Sequence, residues 1–239
     1  MNRNDINKAR IVYYRLFSSL FSFNMEEQDF NIILRSVEAL KENPIDEESG
    51  KALDAIYTYL QKNEYVGLKQ ESDFIFYNPL TSLVPMTASF YAEGRDDGQK
   101  RVEMINFLLK SPFRRDNVKY RENEDHIQFS CLFMTYIIEE ELEGKSYAMD
   151  LAKNVFISIF NEMMTPFIET IYNHEKSDLY KNVAIVVRSF VDFERVFFDV
   201  APPLVIHHEN MAKPNIVLLK DKLPPREMAN RNMEEFTSI

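Results

Sequence analysis

Residues 124–144 read EDHIQFSCLFMTYIIEEELEG, and no other stretch of the chain is as apolar over the length of a helix. Its apolar residues recur at helical spacing on one face and also cover the opposite face: Ile127, Cys131, Met134 and Ile138 on the first, Phe129, Leu132, Phe133 and Ile137 on the second. A helix that is apolar on nearly all sides is buried among other helices. The stretch therefore predicts a central bundle helix from about Glu124 to Glu143, with Gly144 as its C-cap.

Helical periodicity extends on both sides of this segment, which predicts an all-α fold. Further helices are predicted to start at Asn4 or Asp5, after Met25, after Asp46, near Asp97, at Ser146 and after Asp178. Prolines at 44, 112 and 202–203 are predicted to end helices, and Pro166 to kink or break one. Residues 71–98 are predicted to form short helical turns and an acidic loop, and residues 111–125 a surface loop. The helical body is one predicted domain, residues 1–205.

Composition narrows the class of protein further. The 239 residues include only 5 Gly against 19 Phe and 12 Tyr, which disfavours a many-stranded β fold with its tight turns. The single cysteine, Cys131, excludes an intrachain disulfide framework and is expected to be inert core. No apolar run approaches the roughly 20 residues of a membrane span. Because Met1–Arg10 is polar and has no signal-peptide core, we expect a cytoplasmic protein without stable membrane insertion.

The charge distribution separates the body from the tail. The chain has 28 basic and 38 acidic residues, a net charge of -10, and no basic stripe, so nucleic acid is not an expected partner. Residues 206–239 are neutral overall, which leaves the whole negative charge on the body. Three prolines in this segment favour an extended path. We predict an extended or docked C-terminal tail over residues 206–239, and a homodimer that exchanges the tail is one form of docking.

Motifs for cofactors are missing from the sequence. Gly144-Lys145-Ser146 resembles the end of a phosphate-binding loop, but Glu139 stands where that pattern requires glycine. The Glu-x-x-His pairs of di-iron bundles are also absent. The sequence therefore indicates no cofactor and no metal site.

Asp125-His126, at the start of the predicted central helix, is the most notable polar pair. Glu124 or Asp125 can cap free amide groups at the helix start. An acid and an imidazole there can also receive a guanidinium group of a partner. General acid/base catalysis would need a nucleophile or a metal as well, and neither is evident. Capping, partner binding and catalysis remain open at this point.

Three motifs, in this order, resemble those of the TorD/DmsD/NarJ family of cytoplasmic chaperones for molybdenum-containing redox enzymes. They are Tyr14-Arg15-Leu16-Phe17, Pro85 through Ser89-Phe90-Tyr91, and Glu124-Asp125-His126-Ile127 followed by Leu132-Phe133-Met134. The resemblance covers about residues 5 to 200. Glu124 replaces a proline that is usual in the family, and the tryptophans common around the Pro85 segment are missing because the chain has no Trp.

The resemblance implies a binding protein rather than an enzyme. Such chaperones bind the twin-arginine signal peptide and the apo catalytic subunit of a molybdoenzyme, and assist cofactor insertion before export. Formate dehydrogenase, nitrate reductase and S- or N-oxide reductases all have such chaperones; we favour formate dehydrogenase, without a residue-level argument. The family includes monomers and domain-swapped dimers. No motif here indicates binding of a nucleotide or of molybdopterin.

A receptor for two arginines needs carboxylates beside an apolar groove. The acidic candidates are Asp96, Asp97, Glu122, Glu124 and Asp125. The other candidate site residues come from the Pro85 motif, the histidine and the neighbouring aromatic segment: Pro85, Met86, Ser89, Tyr91, His126, Phe74, Tyr77 and Leu80. Two alternatives are a small-molecule enzyme that uses Asp125-His126 as an acid/base pair and a helical scaffolding protein.

Overall fold

The computed structural model describes residues 2–118 and 120–203. Within these ranges the chain forms nine α-helices and one π-helical turn: α1 (Arg3–Leu20), α2 (Glu27–Glu42), α3 (Glu47–Phe76), α4 (Ala88–Glu93), α5 (Gln99–Leu109), α6 (Ile127–Leu142), α7 (Ala148–Val155), the π turn (Phe156–Asn161), α8 (Glu162–Tyr172) and α9 (Leu179–Phe198). The only β pairing in the described part is an isolated bridge. The all-α prediction is confirmed. None of the described helices combines the length and hydrophobicity needed to cross a bilayer.

Helix α6 lies in the middle of the bundle, as its apolar pattern predicts. It packs along α1 and against α7, while α9 packs against α3 and α8. Cys131 is buried in α6, and this burial raises the pKa of its thiol. A buried thiol with a raised pKa is a poor nucleophile, and the predicted core position of Cys131 is confirmed.

Several helix boundaries differ from the prediction. α1 begins at Arg3, one or two residues before the predicted start, because the Asn2 side chain caps it by accepting the Asp5 N–H at 2.9 Å. α3 does begin after Asp46, which forms a capping box with Ser49. Residues 71–76, predicted to be irregular, belong to α3, where Phe76 packs its buried ring against the core.

The helices after residue 125 also start differently. His126, and neither Glu124 nor Asp125, is the N-cap of α6. Ser146 does not cap α7, which begins after Tyr147. Pro166 lies inside α8 and does not end it, and the departure from α geometry occurs instead at the π turn directly before α8. In that turn the Asn161 amide donates to the Ala201 carbonyl at 3.0 Å and its oxygen accepts from Arg195 Nε at 2.8 Å.

A buried ion pair joins α1 to α9. Arg10 of α1 donates through Nη2 to Glu194 of α9 at 2.9 Å, and Tyr14 donates to the same carboxylate at 2.8 Å. Both charged side chains are buried, with the guanidinium also over the ring of Phe197 at 4.2 Å. The charges are therefore fully compensated inside the chain. We call this cluster the α1–α9 seam.

A second buried carboxylate fixes the start of α9. Glu71 of α3 accepts the backbone N–H groups of Asp178, Leu179 and Tyr180 at 2.8, 3.2 and 2.8 Å. These donors have no partner within the helix, so a side chain from elsewhere must satisfy them. α9 ends at Phe198, before the proline pair, as predicted. The predicted tail, residues 206–239, lies outside the described residues.

Candidate functional site

The Pro85 motif and the Asp125-His126 motif lie side by side. Thr87 and His126 form the isolated antiparallel bridge. Its hydrogen bonds run from the Ala88 N–H to the Asp125 carbonyl at 3.1 Å and from the Ile127 N–H to the Met86 carbonyl at 2.9 Å. The fold therefore brings together two segments that are almost 40 residues apart in the chain. We call residues 85–89 and 124–128 the α4–α6 junction.

Asp125 is fully buried in this junction. Its Oδ2 accepts the Ser89 N–H at 2.8 Å, in the first turn of α4, and its Oδ1 has no hydrogen-bond partner in the described part of the chain. Asp125 therefore caps α4 and clamps the two segments together. A fully buried carboxylate does not offer a surface to an arginine of a partner, so its predicted contact with a peptide would need the junction to open.

His126 is also buried, and its ring nitrogen Nδ1 caps the start of α6. Nδ1 accepts the Gln128 N–H at 3.2 Å, which satisfies one of the free donors at the start of α6. Burial lowers the pKa of the imidazole to about 4, so the ring is neutral at pH 7. Because Nδ1 is already an acceptor, it is not free to serve as a general base. The capping interpretation fits this geometry.

Two of the acidic candidates are already paired with arginines. Arg101 of α5 contacts Glu124 through Nε and Asp97 through Nη1, both at 2.6 Å. Glu124 also lies 3.2 Å from Arg115. A carboxylate that is paired twice offers little to a third cation. Sequence reasoning did not identify these pairs, because Arg101 lies on a helix whose face toward Glu124 is set by tertiary packing.

The remaining acidic candidates differ in availability. The exposed Asp96 accepts a hydrogen bond from the Thr87 hydroxyl. The partly exposed Glu122 forms no side-chain ion pair with any residue that the structure describes, and neither does the exposed Asp73, which was not among the predicted residues. Burial raises the pKa of the Tyr77 hydroxyl, and the negative charges of Glu122 and Asp73 add to the rise. Both carboxylates therefore lie within electrostatic range of the Tyr77 hydroxyl.

Tyr77 links these acids to an aromatic surface. Its ring meets that of Phe23 edge to face, with centroids 5.0 Å apart, and its hydroxyl donates to Met86 Sδ at 3.5 Å. Met86 itself is buried. Tyr91, predicted to line the groove, is held inside the junction, where its hydroxyl donates to the Pro85 carbonyl at 2.9 Å. Met86 and Tyr91 therefore help to hold the aromatic surface in place, Met86 through its contact with Tyr77 and Tyr91 through its contact with Pro85.

The Phe74 side chain lies in a groove of about 410 Å³ along the second half of α3. The groove is lined by Tyr65, Val66, Lys69, Gln70, Asp73, Phe74 and Asn78. The hydroxyl of Tyr65 and the ammonium group of Lys69 both donate to the Met25 carbonyl, at 2.7 and 3.2 Å, which attaches the segment between α1 and α2 to this face. Leu80, 91% exposed, follows α3 without joining the groove lining.

The predicted site residues thus fall into two groups. The α4–α6 junction brings together Pro85, Met86, Ser89, Glu124, Asp125 and His126, and Tyr91 contacts it through its hydrogen bond to the Pro85 carbonyl. Tyr77, beside Glu122 and Asp73, connects this junction to the groove that contains Phe74. Asp96 and Asp97 lie at the edge of the junction through their contacts with Thr87 and Arg101. The sequence missed Phe23, Asp73 and Gln128, for which it carries no local signal.

Comparison with known proteins agrees with this architecture. The family model described as nitrate reductase delta subunit matches residues 42–173, which is more than half of the chain. The crystal structure of a protein from Archaeoglobus fulgidus, described as a candidate redox enzyme maturation protein, superposes with a TM-score of 0.50 at 20% identity and covers 77% of this chain and 93% of that chain. The resemblance seen in the motifs is confirmed: the chain belongs to the nitrate reductase delta subunit family, the NarJ/TorD-type chaperones for molybdoenzyme maturation.

Proposed function

We propose that this chain binds the twin-arginine signal peptide and the apo catalytic subunit of a molybdenum-containing oxidoreductase in the cytoplasm, and assists cofactor insertion before export. One observation carries the proposal. The carboxylates of Glu122 and Asp73, unpaired with any described cation, lie within electrostatic range of Tyr77, and Asp73 also lines a groove that contains aromatic side chains. Such a surface complements a peptide in which arginines precede an apolar stretch.

The chemistry of the peptide matches this surface in two respects. Arginine pairs with carboxylates through directed, charge-assisted hydrogen bonds. Each such bond contributes about 1.5–3 kcal/mol, so two of them supply a large part of the ~8 kcal/mol of a micromolar complex. The apolar stretch of the peptide would occupy the groove at Phe74. The net charge of -10 adds long-range attraction for a cationic ligand.

Formate dehydrogenase is the client that we propose to test first, and this choice rests on no particular residue. An acid/base enzyme built on Asp125-His126 has no support from the geometry, since Asp125 accepts the Ser89 N–H and Nδ1 of His126 accepts the Gln128 N–H. A homodimer that exchanges residues 206–239 remains a prediction.

Calorimetric titration with a synthetic twin-arginine leader tests the proposal. We expect Glu122→Gln to weaken binding at least tenfold, since one charge-assisted contact of ~1.5–3 kcal/mol is lost. Glu42→Gln is the matched control, because Glu42 is an exposed acid at the C-terminal end of α2. Replacing both arginines of the peptide by glutamine is expected to remove most of the difference between the two variants, because a neutral side chain forms no charge-assisted contact with Glu122.

Two results would count against the proposal at different levels. If the wild-type protein bound none of the leaders offered, including that of formate dehydrogenase, leader recognition would be wrong. If Glu122→Gln and Glu42→Gln bound the leader equally well, Glu122 would be removed from the site, and the same titration with Asp73→Asn would examine the remaining unpaired carboxylate.

A further inference from the structure

Phe23 is an exposed aromatic residue that the fold holds in place. It lies between α1 and α2, and 46% of it is exposed, whereas Phe21, two residues earlier, is 1% exposed. Its ring packs edge to face against Tyr77, at 5.0 Å and 89°. An aromatic side chain that is already fixed loses little conformational entropy when a partner covers it, and such residues dominate many binding surfaces.

The side chain of Gln128 fixes the backbone at Phe23. Its Oε1 accepts the Phe23 N–H at 3.3 Å, and its Nε2 donates to the Ser22 hydroxyl at 3.1 Å. The main chain of Gln128 is tied in as well, because its carbonyl accepts from the Ser18 hydroxyl at 3.1 Å and its N–H donates to His126 Nδ1 at 3.2 Å. One residue of α6 therefore links the His126 cap to the exposed aromatic ring.

Charge distinguishes Phe23 from Val118, another exposed apolar residue. The Tyr77 ring that Phe23 contacts lies in the field of Glu122 and Asp73. Val118, 88% exposed, instead follows the pair Arg114-Arg115 in a loop. A partner in which cationic residues adjoin apolar ones is attracted to the first surface and repelled by the second.

We propose that Phe23 is the residue that selects the apolar segment of the leader peptide, and that Gln128 is the positioning residue that holds it there. This inference rests on the proposed function and concerns the same surface. The occupant is a cationic peptide whose apolar segment covers the Phe23 ring as well as the groove at Phe74, while its arginines pair with Glu122 and Asp73.

A double-mutant cycle between protein and peptide tests the inference. Calorimetry measures the affinity of wild type and Phe23→Ala for the leader and for a leader with one apolar residue changed to serine. We expect the Phe23→Ala substitution to weaken binding of the natural leader about tenfold. The variant protein should bind the serine-substituted leader almost as tightly as it binds the natural leader. Its dependence on the peptide arginines should stay unchanged. Val118→Ala, a matched exposed control, should behave as wild type.

Gln128 needs a readout that a purely structural role would not change. Gln128→Ala should reduce the discrimination between the two leaders, and Gln128→Glu should restore it, because a glutamate oxygen can still accept the Phe23 N–H. Circular dichroism and thermal unfolding would verify that each variant is folded.

The role of Phe23 and Gln128 and the binding of the leader itself would be contradicted by different results. If wild type binds the leader and Phe23→Ala keeps full discrimination between the two peptides, the role of Phe23 is overturned while leader binding stands. If Gln128→Ala discriminates as wild type does, Gln128 is not a positioning residue. If wild type binds no leader, the proposed function itself falls.

Discussion

The α1–α9 seam and the surface around Tyr77 use carboxylates in opposite ways. In the seam, Glu194 is buried and accepts hydrogen bonds from Arg10 and Tyr14. Around Tyr77, Glu122 and Asp73 have no cation among the described residues as a partner. The buried carboxylate holds two helices together, and the open ones are available to another molecule. Within one acidic chain, pairing and burial therefore distinguish structural acids from candidate binding acids.

The largest effect on stability is expected when one partner of the buried ion pair in the α1–α9 seam is removed. Glu194→Ala leaves the Arg10 guanidinium buried without a counter-charge, which costs about 3–5 kcal/mol of unfolding free energy. Urea unfolding of wild type and variant, followed by circular dichroism, measures the difference. A loss below about 1 kcal/mol would show that Arg10 reaches water or another acceptor, and the contrast between the two regions would then be weaker than the structure indicates.

A second effect is expected from His126 when the pH is lowered. Its pKa is about 4 in the folded protein, against about 6.5 in an unfolded chain. As the pH falls, the unfolded state therefore takes up the proton before the folded state does. The contribution of neutral His126 to the free energy of unfolding is thus complete above pH 6.5 and is lost as the pH falls toward 4. Linkage gives a loss of about 2 kcal/mol by pH 5 and about 3 kcal/mol in full.

The control for this pH effect is His126→Asn, which keeps a side-chain acceptor for the Gln128 N–H but does not titrate. Urea unfolding at pH 7.5 and pH 5 should show that wild type loses more stability than the variant. His174, whose pKa burial also lowers, is present in both proteins and cancels in the comparison. Equal losses in the two proteins would mean that His126 is accessible to protons in the folded state.

The smallest effect is expected at an exposed ion pair. Arg3 contacts Glu141 at 2.8 Å, and the arginine side chain is 49% exposed. Arg3→Ala should cost less than about 1 kcal/mol, because water screens the pair. The cost should shrink further in a few hundred millimolar salt, when unfolding is measured at both ionic strengths. A loss as large as that of Glu194→Ala would show that burial is not what separates the two classes of acid.

Local patterns were enough to predict much of the fold. The start of α3 follows from Asp46, and the central place of α6 follows from a sequence that is apolar on all sides. The cap of α9 could not be predicted in this way, because its acceptor, Glu71, is more than 100 residues away from the donors. The motif order also identified the family, which the family match confirms.

The site was less predictable, because availability is a property of tertiary structure. The sequence placed Asp125 ahead of Glu122 as a candidate, yet Asp125 is buried and accepts the Ser89 N–H, whereas Glu122 has no ion-pair partner in the described part of the chain. Phe21 and Phe23 stand two residues apart in the same short segment, and only the packing of α1 against its neighbours makes one core and the other surface.

The π turn has a consequence for how the chain tolerates change in length. A π turn contains one residue more than the α-helical turn it replaces, so it is equivalent to a single-residue insertion in the helix. Removing one residue from Phe156–Asn161 would therefore restore α geometry while α8 keeps its present orientation. Met163, Met164 and Phe167, now buried, would stay in the core, whereas a deletion within a regular helical turn would rotate the residues after it by about 100°. The π turn is thus a point at which this long helix tolerates the loss of a residue, and what such a loss would disturb is the local contact of Asn161 with Ala201.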